Sequence, residues 1–310
     1  MHRLVHIGYG KTATSALQMH LFPQVEGINY VPINPQTTPV LRDWCFTDPL
    51  DFSLTAAEQW LKSFETNPSG PLLLSYERFV GDQIKQYCNR SMIANRLKAL
   101  GFSKVLITLR NQPSWLNSAY SGAVYAGLPM HYHQYFRLNT HTKTDRLRVA
   151  YRFHKNFLNY HQVAQHYCQL FGAANVHILL MEQMIQEPEA FFQGLANFLE
   201  TEQNLGEIAL PRTNTALSAP ALKLQRILNR NLYSYYRPDG IWPGTLNQLG
   251  LRKLVRRRID PFFRSLGFRT VNYVDKANYR PLIVETFRES NQKLFEEFNL
   301  PEKYLSAYTE

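Results

Sequence analysis

The chain has 310 residues, 45% of them hydrophobic and 19% charged, with a formal net charge of +10. That length can bury a full core, and that balance excludes a disordered protein. The three cysteines Cys45, Cys88 and Cys168 lie far apart without a CxxC pair, which excludes a disulfide scaffold and suits reduced thiols. No apolar stretch approaches the ~18–20 residues of a membrane span. Gly8, Gly10 and Lys11 interrupt any leader-like apolar run at the start, so a cytoplasmic protein is expected.

In chain order, apolar runs bounded by turn residues alternate with helical patterns. Arg3–Ile7 (RLVHI) reads as a strand that feeds a glycine loop. Thr55–Phe64 reads as a helix and Gly70–Ser75 (GPLLLS) as a buried strand. A helix with an Asn start and a Gly stop follows over Asn89–Gly101, then a strand over Lys104–Arg110 (KVLITLR). Ser114–Gly127 is the next helix, Asn175–Glu182 (NVHILLME) the fourth strand, and Glu187–Glu200 an amphipathic helix. Strand signals stop after residue 210. The expected fold is α/β, a mostly parallel sheet covered by helices on both faces. One domain over 1–310 is expected, with an α/β core over 1–210 and a mainly helical part over 211–310.

The loop Gly8-Tyr9-Gly10-Lys11-Thr12-Ala13-Thr14-Ser15 ends like a nucleotide-binding P-loop, in Gly-Lys-Thr. A full Walker A loop would need its first glycine at residue 5, where Val5 stands inside the strand. The shorter loop suits one compact anion at a helix N-terminus, with Thr14 and Ser15 as added hydroxyl donors and Lys11 beyond them. The plainer alternative is a turn with capping hydroxyls.

With its flanks, His6-Ile7-Gly8, then Lys11 to Ser15, then Leu17-Gln18, this stretch resembles the 5′-phosphosulfate loop of PAPS-dependent sulfotransferases, above all bacterial, carbohydrate-type members. The resemblance implies a P-loop-like parallel sheet, PAPS as sulfuryl donor, and Lys11 at the bridging oxygen of the donor. Gly8, Gly10, Lys11, Thr12, Ala13, Thr14 and Ser15 would hold the 5′-phosphate, with Ala13 standing where the family has glycine. The family's 3′-phosphate site is an arginine ending a strand and a serine eight residues on, which Arg110 and Ser118 match here. An arginine fork at a strand end and a helix hydroxyl can share one phosphate. Asn175–Glu200, Arg212–Asn229 and Phe287–Leu300 are similar to later family segments, with Asn214 and Ser218 as further loop contacts. Glu182 reads as a cap or a core ion pair, not a catalytic group.

Sulfuryl transfer resembles phosphoryl transfer: charge builds on the leaving oxygen, and a hydroxyl acceptor must lose a proton. Lys11 is the expected leaving-group cation. Glu77, just past the strand ending in Ser75, is the expected base; His20, His131, His133 and His154 are its rivals. No metal is expected, His131-Tyr132-His133 being at most half a site on a strand.

The basic runs Lys143–Lys155 and Leu251–Arg258 are either solvated helix faces or anion-attracting surfaces. The expected acceptor is a small molecule, glycan or glycolipid, with no nucleic acid as partner. Two other classes remain: a P-loop small-molecule kinase, or a non-catalytic basic module binding nucleic acid or anionic glycan. A kinase would require a true Walker A and an Asp after an apolar strand, whereas these strands run out in Ser75-Tyr76-Glu77, Arg110 and Glu182.

Overall fold

The computed structural model describes residues 2–81, 89–135, 155–211, 216–232, 234 and 250–310. By Cα packing the chain divides into two compact units. The first comprises Met1–Asn111, His154–Thr213 and Thr286–Glu310; the second comprises Gln112–Phe153 and Asn214–Glu285. Both chain ends belong to the first unit, so the helical segment after residue 210 is shared between the two.

The first unit is built on a sheet of five parallel strands in the order β2-β3-β1-β4-β5. These are β1 (Arg3–His6), β2 (Asn29–Val31), β3 (Leu72–Ser75), β4 (Phe102–Leu109) and β5 (Val176–Leu180). The near-continuous apolar runs of β1, β3 and β4 follow from burial on both faces, which parallel sheets require. On one face Leu4, Leu73, Leu106 and Leu179 pack against Leu17, Leu21 and Phe22, and against Phe191, Leu195 and Phe198. Each such leucine, fully buried, contributes about 1.5–3 kcal/mol. Helices α4 (Arg90–Ala99) and α7 (Tyr160–Phe171) pack on β4. The Asn159 side chain starts α7 by accepting from Gln162 N at 3.1 Å. The α/β fold expected from the sequence is the one observed.

Three local differences have simple causes. β2 is only three residues long, too short to show a periodicity. The run Asn175–Glu182 is divided: β5 ends at Leu180 and α8 (Met181–Gln186) begins at once, so Glu182 lies in a first helical turn and not in the strand. His131 precedes a short helix, Tyr132–Tyr135, and His133 lies within it, so the two histidines are not on a strand. In the second unit, α5 (Gln112–Ala126) packs on α10 (Ala219–Asn229) and on Tyr273–Lys276.

The strand order places the site. After β1 the chain turns toward β2 and β3, whereas after β4 it continues to β5 on the opposite side. Loops leaving neighbouring strands in opposite directions open a crevice at the carboxyl ends of β1 and β4.

Candidate active site

The loop after β1 is first tied to β4, with Ile7 N donating to Leu106 O at 3.0 Å and Tyr9 N to Thr108 O at 3.2 Å. Beyond Tyr9 it departs from the sheet through two left-handed residues, Lys11 at φ 73° and Ala13 at φ 60°, with Thr12 between them outside that region. Alternation of hand turns successive amides to one side and forms an anion-binding concavity. An L-residue in this conformation costs about 1–2 kcal/mol, so the loop is held against strain. This is the position where the resembling family has glycine, and Ala13 adopts the glycine-like backbone regardless. Its carbonyl then starts the helical segment, accepting from Ala16 N at 2.8 Å and Leu17 N at 3.1 Å. That segment runs through α1 (Thr14–Ala16), a π turn Leu17–Leu21 and a 3-10 turn Phe22–Gln24.

A buried chain of hydrogen bonds holds the strained loop down. Gln18 Nε2 donates to Ser75 Oγ at 3.1 Å, and Ser75 Oγ meets His6 Nδ1 at 2.8 Å. His6 Nε2 meets Thr108 Oγ1 at 3.0 Å, and Thr108 Oγ1 meets Thr12 Oγ1 at 2.7 Å. Thr12 Oγ1 in turn donates to the Tyr9 carbonyl. Each hydroxyl has one proton to give, so the last bond sets all the others: Thr108 donates to Thr12, His6 donates through Nε2, and Ser75 donates to Nδ1. Complete burial pushes the His6 imidazole down to about 3, so it stays neutral as the chain requires. Gly8 has no side chain for a steric reason: a Cβ there would lie 2.2 Å from Thr108 Oγ1 and 2.3 Å from His6 Nε2.

The candidate groups sit on this pinned frame. Lys11 is exposed, Ser15 is half-buried, and Thr12 faces inward with its hydroxyl committed to the chain. Glu77 opens the 3-10 turn Glu77–Val80 after β3, and Thr14 Oγ1 donates to its Oε2 at 2.8 Å. A Cβ on Gly10 would lie 3.6 Å from the Glu77 carboxyl carbon, so loop and carboxylate are neighbours.

Across the crevice, Arg110 Nη1 donates to the Lys11 carbonyl at 3.3 Å. Burial holds the guanidinium below its ordinary value, opposed by the field of Glu182. Glu182 is itself buried, its Oε1 accepting from Asn111 Nδ2 at 2.7 Å and from Asn111 N at 3.1 Å. Its Oε2 accepts from Tyr308 Oη at 2.8 Å, while Tyr160 Oη donates to the Arg110 carbonyl at 2.8 Å. Burial drives both phenols well above their ordinary range, so they stay protonated donors. Glu182 thus fixes the turn that carries Arg110, a stronger version of the core role its sequence suggested. The arrangement offers an anion a concave row of amides, an exposed ammonium and a guanidinium that no carboxylate among the described residues binds directly.

No family model matches this chain, and no curated protein matches it. Among solved structures it is similar to a sulfotransferase from Alicyclobacillus acidocaldarius. The two are 16% identical over 74% of this chain and 94% of that one, with a TM-score of 0.43.

The remaining candidates are spread over both units. Ser118 stands half-buried on α5 in the second unit; His131, half-buried, and His133, exposed, also belong to that unit, and their rings lie 4.1 and 4.2 Å from Tyr132. His20 lies in the π turn, where its carbonyl accepts from Gln24 Nε2. Ser218 is fully buried ahead of α10, its N–H donating to Asp260 Oδ1 at 2.7 Å, which makes it structural. His154, Asn214 and the basic run up to 154 lie outside the described residues. Among the described residues, no group of three His, Cys, Asp or Glu could hold a metal ion, and no helix is long and apolar enough to cross a membrane.

Sequence reasoning missed the chain through Gln18, Ser75, His6 and Thr108, and the Asn111–Glu182–Tyr308 cluster. A signal for the first was present: the apolar runs LVH, LLLS and LIT each reach a polar residue near the carboxyl end of a central strand.

Proposed function

We propose that the chain is a PAPS-dependent sulfotransferase that moves a sulfuryl group to a hydroxyl, or an amine, of a carbohydrate or glycoconjugate acceptor in the cytoplasm. The observation that carries the reading is the alternating left-handed loop at Lys11 and Ala13, facing Arg110 across the β1–β4 switch point. Such a concavity fits one phosphate better than a triphosphate tail. Both cations beside it are free of direct carboxylate partners among the described residues.

In this reading the loop amides and Ser15 take the 5′-phosphate and Arg110 takes the 3′-phosphate. The bond between sulfur and the bridging phosphate oxygen breaks as the acceptor oxygen bonds to sulfur in line. Lys11 neutralises the charge that collects on the departing oxygen, the term expected to matter most. Glu77 takes the acceptor proton, and the Thr14 hydroxyl now on Glu77 is within reach of the loop's anion and can exchange partners. The frame beneath, from Gln18 to Thr12, keeps these groups rigid and so lowers the entropy lost at the transition state. No divalent metal has a part in this scheme.

Calorimetry run with and without magnesium tests it. Adenosine 3′,5′-bisphosphate is expected to bind far more tightly than ATP. Tight, Mg²⁺-dependent ATP binding with no preference for the bisphosphate would replace the sulfotransferase by a kinase.

A further inference from the structure

The second unit carries a helix over 251–265, made of Leu251–Leu254, a π turn Val255–Ile259 and Asp260–Ser265 without a break. Its inner side is anchored: Val255 and Asp260 are buried, and Asp260 accepts from Ser218 N at 2.7 Å and from Arg264 Nε at 2.8 Å. Its outer side is unusual. Leu254, Phe262 and Leu266 follow one another at multiples of four residues and are 48%, 59% and 59% exposed. Gly267, at φ 87°, turns the chain so that Phe268 N bonds Phe263 O at 3.1 Å, and Phe268 joins the same region at 46% exposure. Arg258 lies within the stripe and Lys253, Arg257 and Arg269 beside it, all exposed.

From 251 to 269 there are seven arginines and lysines and a single acid, Asp260, which is buried and bonded. The outer face therefore presents large apolar side chains among cations, with no exposed carboxylate. A solvated charged face would not carry four large apolar groups at half exposure. A second copy of the chain would bring like charges together. An amphipathic, cation-fringed helix is suited to the boundary between anionic headgroups and acyl chains.

We propose that this helix docks the protein on an anionic membrane surface, with Phe262 and Leu266 entering the acyl boundary and the arginines and lysines meeting lipid phosphates. This surface owes nothing to the donor site, so the proposal stands or falls separately from the sulfotransferase reading.

The test is sedimentation of the full chain with vesicles of phosphatidylcholine alone and of phosphatidylcholine mixed equally with phosphatidylglycerol. Binding is expected only to the mixed vesicles, weakening as salt rises. Inorganic phosphate at the same concentration should not compete, which separates a bilayer from a simple phosphate site. Phe262→Ser with Leu266→Ser is expected to lower partitioning about tenfold or more while the melting temperature stays unchanged. Arg257→Gln with Arg258→Gln, two fully surface changes, is expected to lower it by a similar factor, about fivefold for each charge lost. Equal binding to neutral vesicles, no binding to either kind, or undiminished binding by both double variants would overturn the proposal. So would a dimer of the parent chain that Phe262→Ser with Leu266→Ser dissociates.

Discussion

Arg3 opens β1 and Arg110 follows β4, so two guanidiniums stand at opposite ends of one parallel sheet. Arg3 is consumed by the fold. Its Nε donates to Glu65 at 2.9 Å, its Nη2 to Glu58 at 2.8 Å and its Nη1 to the Leu100 carbonyl at 2.5 Å. The hydrogen bond to Glu58, above all, holds its pKa above the ordinary value. Arg110 is half-buried, its bond goes to a carbonyl, and burial holds its pKa below the ordinary value. One arginine type thus serves as a carboxylate-bound clamp at one end and, at the other, as a cation with no direct carboxylate partner among the described residues. The difference marks a candidate anion position more sharply than net charge could, because a partly buried guanidinium without a direct carboxylate partner among the described residues is stabilised by an arriving anion.

The largest expected effects break the carboxyl-end half of this comparison. Lys11→Ala should lower sulfuryl transfer from labelled PAPS by on the order of 10²–10³. Glu77→Gln should lower turnover by roughly 10²–10⁴ while leaving bisphosphate affinity in place. If Glu77→Gln turns over normally and His133→Ala is inactive, the base is a histidine and the assignment of Glu77 is wrong.

Next come the two arginines themselves. Arg3→Ala leaves Glu58, Glu65 and the Leu100 carbonyl without their donor, and should lower unfolding free energy by about 3 kcal/mol in a urea titration. Arg110→Ala should change stability by less than about 1 kcal/mol yet weaken bisphosphate binding about tenfold or more. Equal losses of stability would erase the distinction between the two ends.

The smallest effect concerns acid. The His6 imidazole titrates at about 3 in the fold against an ordinary 6.5, so between those values the unfolded chain takes up a proton that the folded one refuses. Its contribution is fully present above pH 6.5 and falls as pH drops, by about 1.4 kcal/mol per unit and so about 2 kcal/mol at pH 5. His6→Gln should show a shallower loss between pH 7 and pH 5 in paired urea titrations. Identical slopes would mean that His6 is not held neutral.

Much of the first unit was legible because parallel strands announce themselves as apolar runs, and four of the five did so. β2 was not, since three residues have no measurable period. Lys11 and Glu77 were placed beside one loop by their positions after strand ends, a consequence of the βα connection itself. The pairing of His6 with Ser75 and Thr108 was hidden because it depends on strand register, which a single sequence does not fix. The grouping into two units depends on contacts between distant pieces of chain, the second unit being drawn from Gln112–Phe153 and Asn214–Glu285.

The polarity of the chain from Gln18 to Tyr9 has a use beyond stability. Every hydroxyl in it gives one proton and receives one, so the direction of the whole row is dictated by the Thr12 bond at the foot of the loop. Release of Thr12 would remove that dictation and leave the imidazole free to change tautomer. The nitrogen resonances of His6 are therefore a gauge: they read the seating of the loop after β1 at a nucleus buried beneath it that no ligand needs to touch.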